Sequence, residues 1–347
     1  IVGGDPYGRG VVSTASYEAR AFGIRSAMPA SHACRLCPQA TFLRPDFEKY
    51  EAVSRTVMSI LKQHTPLVEA VSLDEAYLDV THHRLGIEDP VMIASLIKQT
   101  IYAVTKLTAS AGVAPNLFLA KIASDFQKPN GLTVIHPKEV QNFLKDLPVR
   151  KIPGVGPVTE KALAELRIFT CGDLADVPAN VLQAKFGKTG LFLAERAQGI
   201  DMSEVQPETE PKQYSTEETF AKDSTDIPWM KSKLKGFAEN VFSALKESGR
   251  MGRTVVLKVK YHDFELITRS HTLSHRPLDA DEIYNVASHL LETKTLAGTK
   301  PIRLIGLGIS GLDRLDPGLK PAGDDLFDWT GCRECQGPKE PGFVSIM

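Results

Sequence analysis

The stretch SLDEAYLD, residues 72–79, sets two carboxylates, Asp74 and Glu75, side by side between short apolar runs. Val68 and Ala70 before it, and the run from Ala76 to Val80 after it, predict two strands joined at Leu73–Glu75. Neighbouring residues of a regular strand point to opposite faces, so both carboxylates reach one site only at a turn or bulge. Side by side they repel, each raising the other's pKa, and a nearby cation relieves what burial alone cannot. Mg²⁺, with its preference for oxygen ligands and substrate phosphates, suits such a place. On spacing alone the competing reading is a solvent-facing acidic turn.

Two further segments have chemistry of their own. In KIPGVGPVTEKALAEL, residues 151–166, Gly154-Val155-Gly156 stands between an apolar segment ending near Ile152 and a helix beginning at Pro157. Glycines let helix-start amides approach an anion closely, and the helix dipole favours phosphate there. Pro-Gly-Val-Gly followed at once by an amphipathic helix is the pattern of a helix-hairpin-helix that grips a DNA backbone, against the plainer reading of a tight turn.

In TVVLKVK, residues 254–260, Val255, Leu257 and Val259 alternate with Val256, Lys258 and Lys260, so a strand buries one face and presents lysines on the other. FELITRSHTL supplies a second strand after a short YHD turn. Met230, Leu234, Phe237, Val241 and Leu245 before them, and Ile283, Val286, Ala287 and Leu290 after them, recur at helical spacing. With strands near 214–220 and at IRLIGLGI, the order is β-α-β-β-α-β, a sheet covered by helices on one face only. A bare face carrying Lys258, Lys260 and Arg269 suits a phosphate backbone.

The elements that must position these residues need several cores, and 347 residues, 42% of them hydrophobic, allow them. A formal charge of −1 conceals a segregation along the chain. From Asp201 to Asp226 eight acidic residues face Lys212 and Lys222, and from Lys231 to Arg276 ten Lys/Arg face Glu239, Glu247, Asp263 and Glu265. SEVQPETEPKQYSTEE, polar and lacking apolar periodicity, reads as an interdomain linker. No run has the length of a membrane span, and IVGGDPYG lacks the features of a signal peptide, so a cytoplasmic protein is expected. Five cysteines argue against a disulfide framework. Cys34 and Cys37 read as buried helix residues, and Cys332 and Cys335 stay unassigned.

RGVVSTASYEARAFGIRSAMP, VSLDEAYLDVT, SAGVAPNLFLAKIASDFQKPNG and the helix-hairpin-helix, in this order, resemble the bacterial DinB type of Y-family translesion DNA polymerases over residues 1–312. The resemblance implies an α+β multidomain fold, a right hand of palm, fingers and helical thumb plus a little finger. Palm and fingers would occupy 1–147, with fingers at about 10–65 and palm mainly at 66–147. A thumb would follow at 148–203, a linker at 204–213, the little finger at 214–312 and a flexible tail at 313–347. It further implies that Asp74 and Glu75 hold magnesium, two ions in all, with Glu75 the acidic active-site residue, and that a primer 3′-hydroxyl attacks a deoxynucleoside triphosphate. The triphosphate-binding positions of the family fall on Thr14, Tyr17, Arg20 and Lys121. Implied partners are primer-template DNA, deoxynucleoside triphosphates and, through Leu326-Phe327 in GDDLFDW, a sliding clamp; a monomer is expected. That clamp peptide is incomplete, since Gly323 and Asp324 stand where Gln and Leu are usual.

The family opens with a strand of the form DMDAF that carries a third carboxylate, and this sequence starts beyond it; neither Asp5 nor Asp79 matches the motif. The expectation is therefore an N-terminally incomplete polymerase that extends primers poorly. Against it stand a catalytically inactive DNA-binding or clamp-tethered module and, more weakly, another palm-type enzyme such as a nucleotide cyclase. The last gives no reason for a helix-hairpin-helix or a basic little finger.

Overall fold

The computed structural model describes residues 1–81, 86–87, 89–208, 210–315 and 342–347. The chain runs through β1 (Val2–Gly3), β2 (Val12–Thr14), α1 (Tyr17–Ala21), α2 (Ala30–Leu36), α3 (Phe47–Lys62), β3 (Val68–Ala70) and β4 (Ala76–Asp79). It continues through α4 (Pro90–Thr105), β5 (Ala111–Ala114), α5 (Leu117–Phe126), β6 (Leu132–Val134) and α6 (Val140–Lys145). Short helices follow: α7 (Pro157–Ala164), α8 (Cys171–Ala175), α9 (Ala179–Phe186) and α10 (Lys188–Ala197). Then come β7 (Gln213–Ser224), α11 (Ile227–Glu247), β8 (Arg250–Tyr261), β9 (Leu266–Thr272), α12 (Ala280–Lys294), β10 (Ile302–Arg314) and β11 (Phe343–Ile346). The described residues fall into two compact units, one drawn from Ile1–Pro45 and Glu210–Gly331, the other from Asp46–Thr209 and Cys332–Met347.

The second unit is built on a mixed sheet of order β3-β4-β11-β5-β6, with β11 antiparallel to both β4 and β5. Ile60 and Leu61 of α3 and Ile93 and Ile97 of α4 pack with Leu78, Val113 and Val344 into one core. α3 starts at the capping carboxylate of Asp46, which accepts from the Lys49 amide, and α4 at Asp89 followed by Pro90. Phe118, Leu119 and Ile122 of α5 share a second core with Leu144, Leu163, Leu174 and Leu193. The expected thumb therefore has no separate core; its helices close over α5.

In the first unit, β1 and β2 pair over a small core of Val12, Ala15, Ala19, Ile24, Ala33 and Cys37. Its larger sheet, β7-β10-β8-β9, is antiparallel throughout. Val255, Leu257 and Val259 of β8 meet Met230, Leu234 and Val241 of α11 and Ile283, Ala287 and Leu290 of α12 in one core, giving the β-α-β-β-α-β order that periodicity predicts.

Ile60 and Leu61 of α3, inside the expected fingers range of about 10–65, are buried in one core with strands β3, β4, β5 and β11. One expectation is corrected. The 313–347 stretch is not simply a tail. Asp313 and Arg314 end β10, and β11 is the middle strand of the palm sheet, with Val344, Ser345 and Ile346 buried. The sequence FVSI is short and follows a Gly/Pro-rich segment, so its tertiary pairing rather than any local pattern defines it. The expected linker also carries a buried residue, Val205, and its Gln206 amide donates to Glu69 Oε2 at 2.8 Å.

Candidate active site

β3 and β4 pair antiparallel with Ala70 opposite Ala76, and the chain then turns sharply. The amides of Val71 and Ser72 both donate to the Glu75 carbonyl, at 2.9 and 3.2 Å. Ser72 Oγ donates to Asp74 Oδ1 at 2.7 Å and accepts from the Asp74 amide at 3.3 Å. This turn resolves the parity problem of two adjacent carboxylates, since Asp74 leaves the strand path and stands exposed while Glu75 is half-buried.

Across the sheet, Lys121 Nζ donates to Glu75 Oε2 at 2.6 Å. Two residues 46 apart in the sequence thus meet, and the ammonium supplies the cation that neighbouring carboxylates call for. The reach depends on how closely α5 lies on β5. A Cβ at Gly112 would fall 2.2 Å from the Ala120 carbonyl and 2.4 Å from the Ser124 amide, so only glycine admits the helix there. Met347 Sδ lies 3.0 Å from the same ammonium, bringing the end of β11 against this pair. Tyr77, two residues past Glu75, lies along the same strand face. Burial, and then the charges of Glu75, Glu69 and Asp201, push its hydroxyl up to about 12.

Among the described residues no group of three or more His, Cys, Asp or Glu gathers to hold a metal ion. The oxygen donors of Asp74 and Glu75 fit one hard divalent cation by chemistry. They do not by themselves make a cage for two.

Thr14, Tyr17 and Arg20 belong to the other unit and converge there. Arg20 Nε donates to the Ala15 carbonyl at 2.9 Å, its Nη2 lies 3.5 Å from Thr14 Oγ1, and its guanidinium stands 5.6 Å from the centre of the Tyr17 ring. Ser16 caps α1 by accepting from the Ala19 amide. The exposed faces of Thr14 and Tyr17 beside a guanidinium form an anion-accepting patch.

Gly154 has φ +92°, a conformation that disfavours a side chain, and Gly156 is the N-cap of α7 with Pro157 in its first turn. Both glycines are exposed, with open space where a Cβ would stand. Further along, α8 starts with a reciprocal cap between Thr170 and Asp173.

On the larger sheet of the first unit, Lys258 and Lys260 point to the face without helices, as expected. Arg269 does not. It pairs in register with Leu257, a core residue, and its Nε donates to the Lys294 carbonyl at the end of α12 at 2.8 Å. The error is one of register: β9 carries few apolar residues to mark its faces, and its pairing with β8 decides them. Lys258 Nζ contacts Glu217 Oε2 at 2.7 Å and Lys233 contacts Glu218 at 2.9 Å, so the acidic and basic blocks of the sequence neutralise each other across β7. Lys260 makes no ion pair among the described residues.

The chain matches the impB/mucB/samB family over residues 1–125 and the C-terminal domain of that family over 211–320. Residues 150–201 match the thumb domain of DNA polymerase iota. A DNA polymerase IV of Xanthomonas campestris is 48% identical over 314 residues, 90% of this chain and 87% of that one. Another, from Alkalilimnicola ehrlichii, is 47% identical over 91% of this chain and 89% of that one. Among solved structures, a Y-family DNA polymerase chimera of Dbh and Dpo4 superposes with a TM-score of 0.79 at 31% identity, covering 89% of this chain and 90% of the other. DinB from Sulfolobus solfataricus gives a TM-score of 0.61 at 32% identity over the same shares.

The chain belongs to the DinB type of Y-family translesion DNA polymerases. It is accordingly a DNA-directed DNA polymerase, a nucleotidyltransferase.

In this polymerase the palm sheet is the one bearing Asp74 and Glu75, and the little finger is the β7-β10-β8-β9 sheet with α11 and α12. Sequence reasoning missed Ser72 and Tyr77, although both lie inside the motif that drew notice. A hydroxyl two residues before Asp74, and a phenol two strand positions after Glu75, were the available signals. Leu326, Phe327, Cys332 and Cys335 lie outside the described residues. Cys34, Cys37 and Cys171 are free thiols; Cys37 and Cys171 are buried and Cys34 is half-buried.

Proposed function

We propose that the apex of the β3–β4 hairpin is where a primer 3′-hydroxyl attacks an incoming deoxynucleoside triphosphate, with Asp74 and Glu75 as the catalytic carboxylates. The observation that carries this reading is the Lys121–Glu75 contact at 2.6 Å, which joins two separately predicted site residues. Mg²⁺ held by Asp74 and Glu75 would supply Lewis-acid stabilisation of the transferring phosphoryl group. Ser72 fixes the rotamer of Asp74 by its hydrogen bond. Lys121 neutralises Glu75 and offers a point charge to triphosphate oxygens. For Thr14, Tyr17 and Arg20 the supported role is contact with phosphate, through a hydroxyl, a phenol and a forked guanidinium.

Primer-template DNA is held elsewhere. The open glycine turn of Gly154 and Gly156 suits the DNA backbone, and Lys258 and Lys260 suit phosphates on the bare face of the little finger. Arg269, capping α12, is withdrawn from that set. Docking of Leu326-Phe327 on a sliding clamp, a monomeric state and a cytoplasmic location complete the reading, and these rest on the sequence. No described helix is long and apolar enough to cross a membrane.

The test is primer extension by Asp74→Ala and Glu75→Ala. Each is expected to lose extension by on the order of 10³-fold, more than an outer-shell partner contributes, with primer-template affinity nearly unchanged. Extension by Glu75→Ala at near the unsubstituted rate would overturn the assignment.

A further inference from the structure

Lys121 can serve the site only if α5 is held in one position, and the N-terminal end of α5 is held by an uncommon fixture. Asn116 caps the helix by accepting from the Leu119 amide at 3.0 Å and donates its own amide to the Gly199 carbonyl at 2.8 Å. The Phe118 amide, another first-turn donor, goes to Asp201 Oδ2 at 2.9 Å. Asp201 Oδ1 accepts from Arg196 Nη2 at 2.8 Å and from the Ser203 amide at 3.1 Å. Arg196 also donates to the Ile200 carbonyl at 2.6 Å and lies over the rings of Phe192 and Phe118, 4.5 and 5.6 Å from their centres.

The Asp201 side chain is only 4% exposed and that of Arg196 11%. A buried ion pair is a poor device for stability alone, because desolvation offsets much of its Coulomb energy and an apolar pair often does as well. What such a pair fixes is geometry. Here a carboxylate from the end of the thumb satisfies a helix-start amide and sits where the helix dipole favours negative charge. Lys121 follows Phe118 by three residues, less than one helical turn. Further along the same stretch, the Gln206 amide donates to Glu69 on β3, so residues 199–206 run from α5 to the hairpin that bears the carboxylates.

We propose that Asp201, held by Arg196, is a positioning residue that acts through Lys121, fixing α5 so that the ammonium meets Glu75. The inference rests on the reading of Lys121 and Glu75 as active-site residues. It assigns the thumb's last residues a part in nucleotide incorporation in addition to closing the core.

The test is a double-mutant cycle of Asp201→Ala and Lys121→Ala, read as kcat/KM for the incoming nucleotide at saturating primer-template. Asp201→Ala is expected to lower kcat/KM about 10- to 100-fold, the loss typical of an outer-shell partner, with the dissociation constant for primer-template changed less than about twofold. On the Lys121→Ala background the same substitution should cost less than about twofold, because its route of action is already gone. Losses that multiply in the double variant would overturn the inference while leaving the active-site reading intact. A Lys121→Ala enzyme of unchanged kcat/KM would overturn both. Should Asp201→Ala fail to fold, Asp201→Asn, which keeps an acceptor for the Phe118 amide but loses the charge facing Arg196, runs the same cycle.

Discussion

The palm sheet and the little-finger sheet put lysines to work in opposite ways. In the palm, Lys121 reaches over the sheet from a helix packed tightly on β5, and its ammonium closes on one carboxylate in a half-buried place. In the little finger, Lys258 and Lys260 stand out from the strand itself on a face that no helix covers, and one of them is tied to a surface glutamate. The first arrangement is preorganised for a charge that appears at one point. The second spreads charge along a surface, which suits a phosphate backbone read without regard to sequence. The sheets differ to match: β11 and β4 pair although they come from distant parts of the chain, whereas the little finger is folded from one continuous segment.

The sharpest way to break this contrast is to put the same charge into each sheet. Val344→Asp, at a fully buried position in the middle palm strand, is expected to cost about 4 kcal/mol or more, since the carboxylate gains no partner. Thr268→Asp, on the exposed strand β9, should change stability by no more than about 0.5 kcal/mol. Urea unfolding measures both, and a mild effect of Val344→Asp would show that β11 is not integral to the palm.

Lys121→Ala comes next in size. Loss of a charge-assisted hydrogen bond to phosphate, roughly 1.5–3 kcal/mol, should lower kcat/KM for nucleotide by about 10- to 150-fold. In the little finger, the double substitution Lys258→Ala and Lys260→Ala should weaken binding to every primer-template about equally and flatten the salt dependence by up to about two units of slope. Arg269→Ala should leave that slope unchanged, because its guanidinium caps α12. A loss of slope on Arg269→Ala equal to that of a lysine would restore it to the DNA face.

The smallest effect concerns Tyr77. Its hydroxyl is held protonated up to about 12 by burial and the surrounding carboxylates, above the ordinary tyrosine value of 10.0. The stability this group contributes is present in full below the unfolded value and is lost as pH rises from about 10 towards 12. Absorbance titration should show a late-ionising component that is lost in Tyr77→Phe, and ionisation of Tyr77 near 10 would contradict the placement.

Much of this was legible in the sequence where pattern and contact are local. The alternation at Val255, Leu257 and Val259 and the helical spacing at Met230, Leu234 and Val241 define the little finger before any tertiary contact is known. The adjacent Asp74 and Glu75 marked a turn, and the turn is there. Arg269 was misplaced because β9 lacks an apolar face to set its register. β11 was unreadable for a stronger reason. Four residues, three of them apolar with no alternation to mark a face, define a strand only once β4 and β5 leave a gap for them, and that gap is a property of the assembled sheet. The lock of Arg196 on Asp201 was hidden likewise, since its meaning lies in the Phe118 amide, 83 residues from Asp201 in the sequence.

The most direct measurement crosses the two regions in one experiment: single-turnover nucleotide incorporation and primer-template affinity, both determined for Glu75→Gln and for the Lys258→Ala/Lys260→Ala enzyme. The account predicts that Glu75→Gln loses incorporation by on the order of 10³-fold while binding DNA normally, and that the lysine variant binds weakly yet incorporates at a near-normal rate once DNA saturates it. Incorporation by Glu75→Gln at near the unsubstituted rate, or an equally deep fall in the saturated rate of the lysine variant, would contradict it.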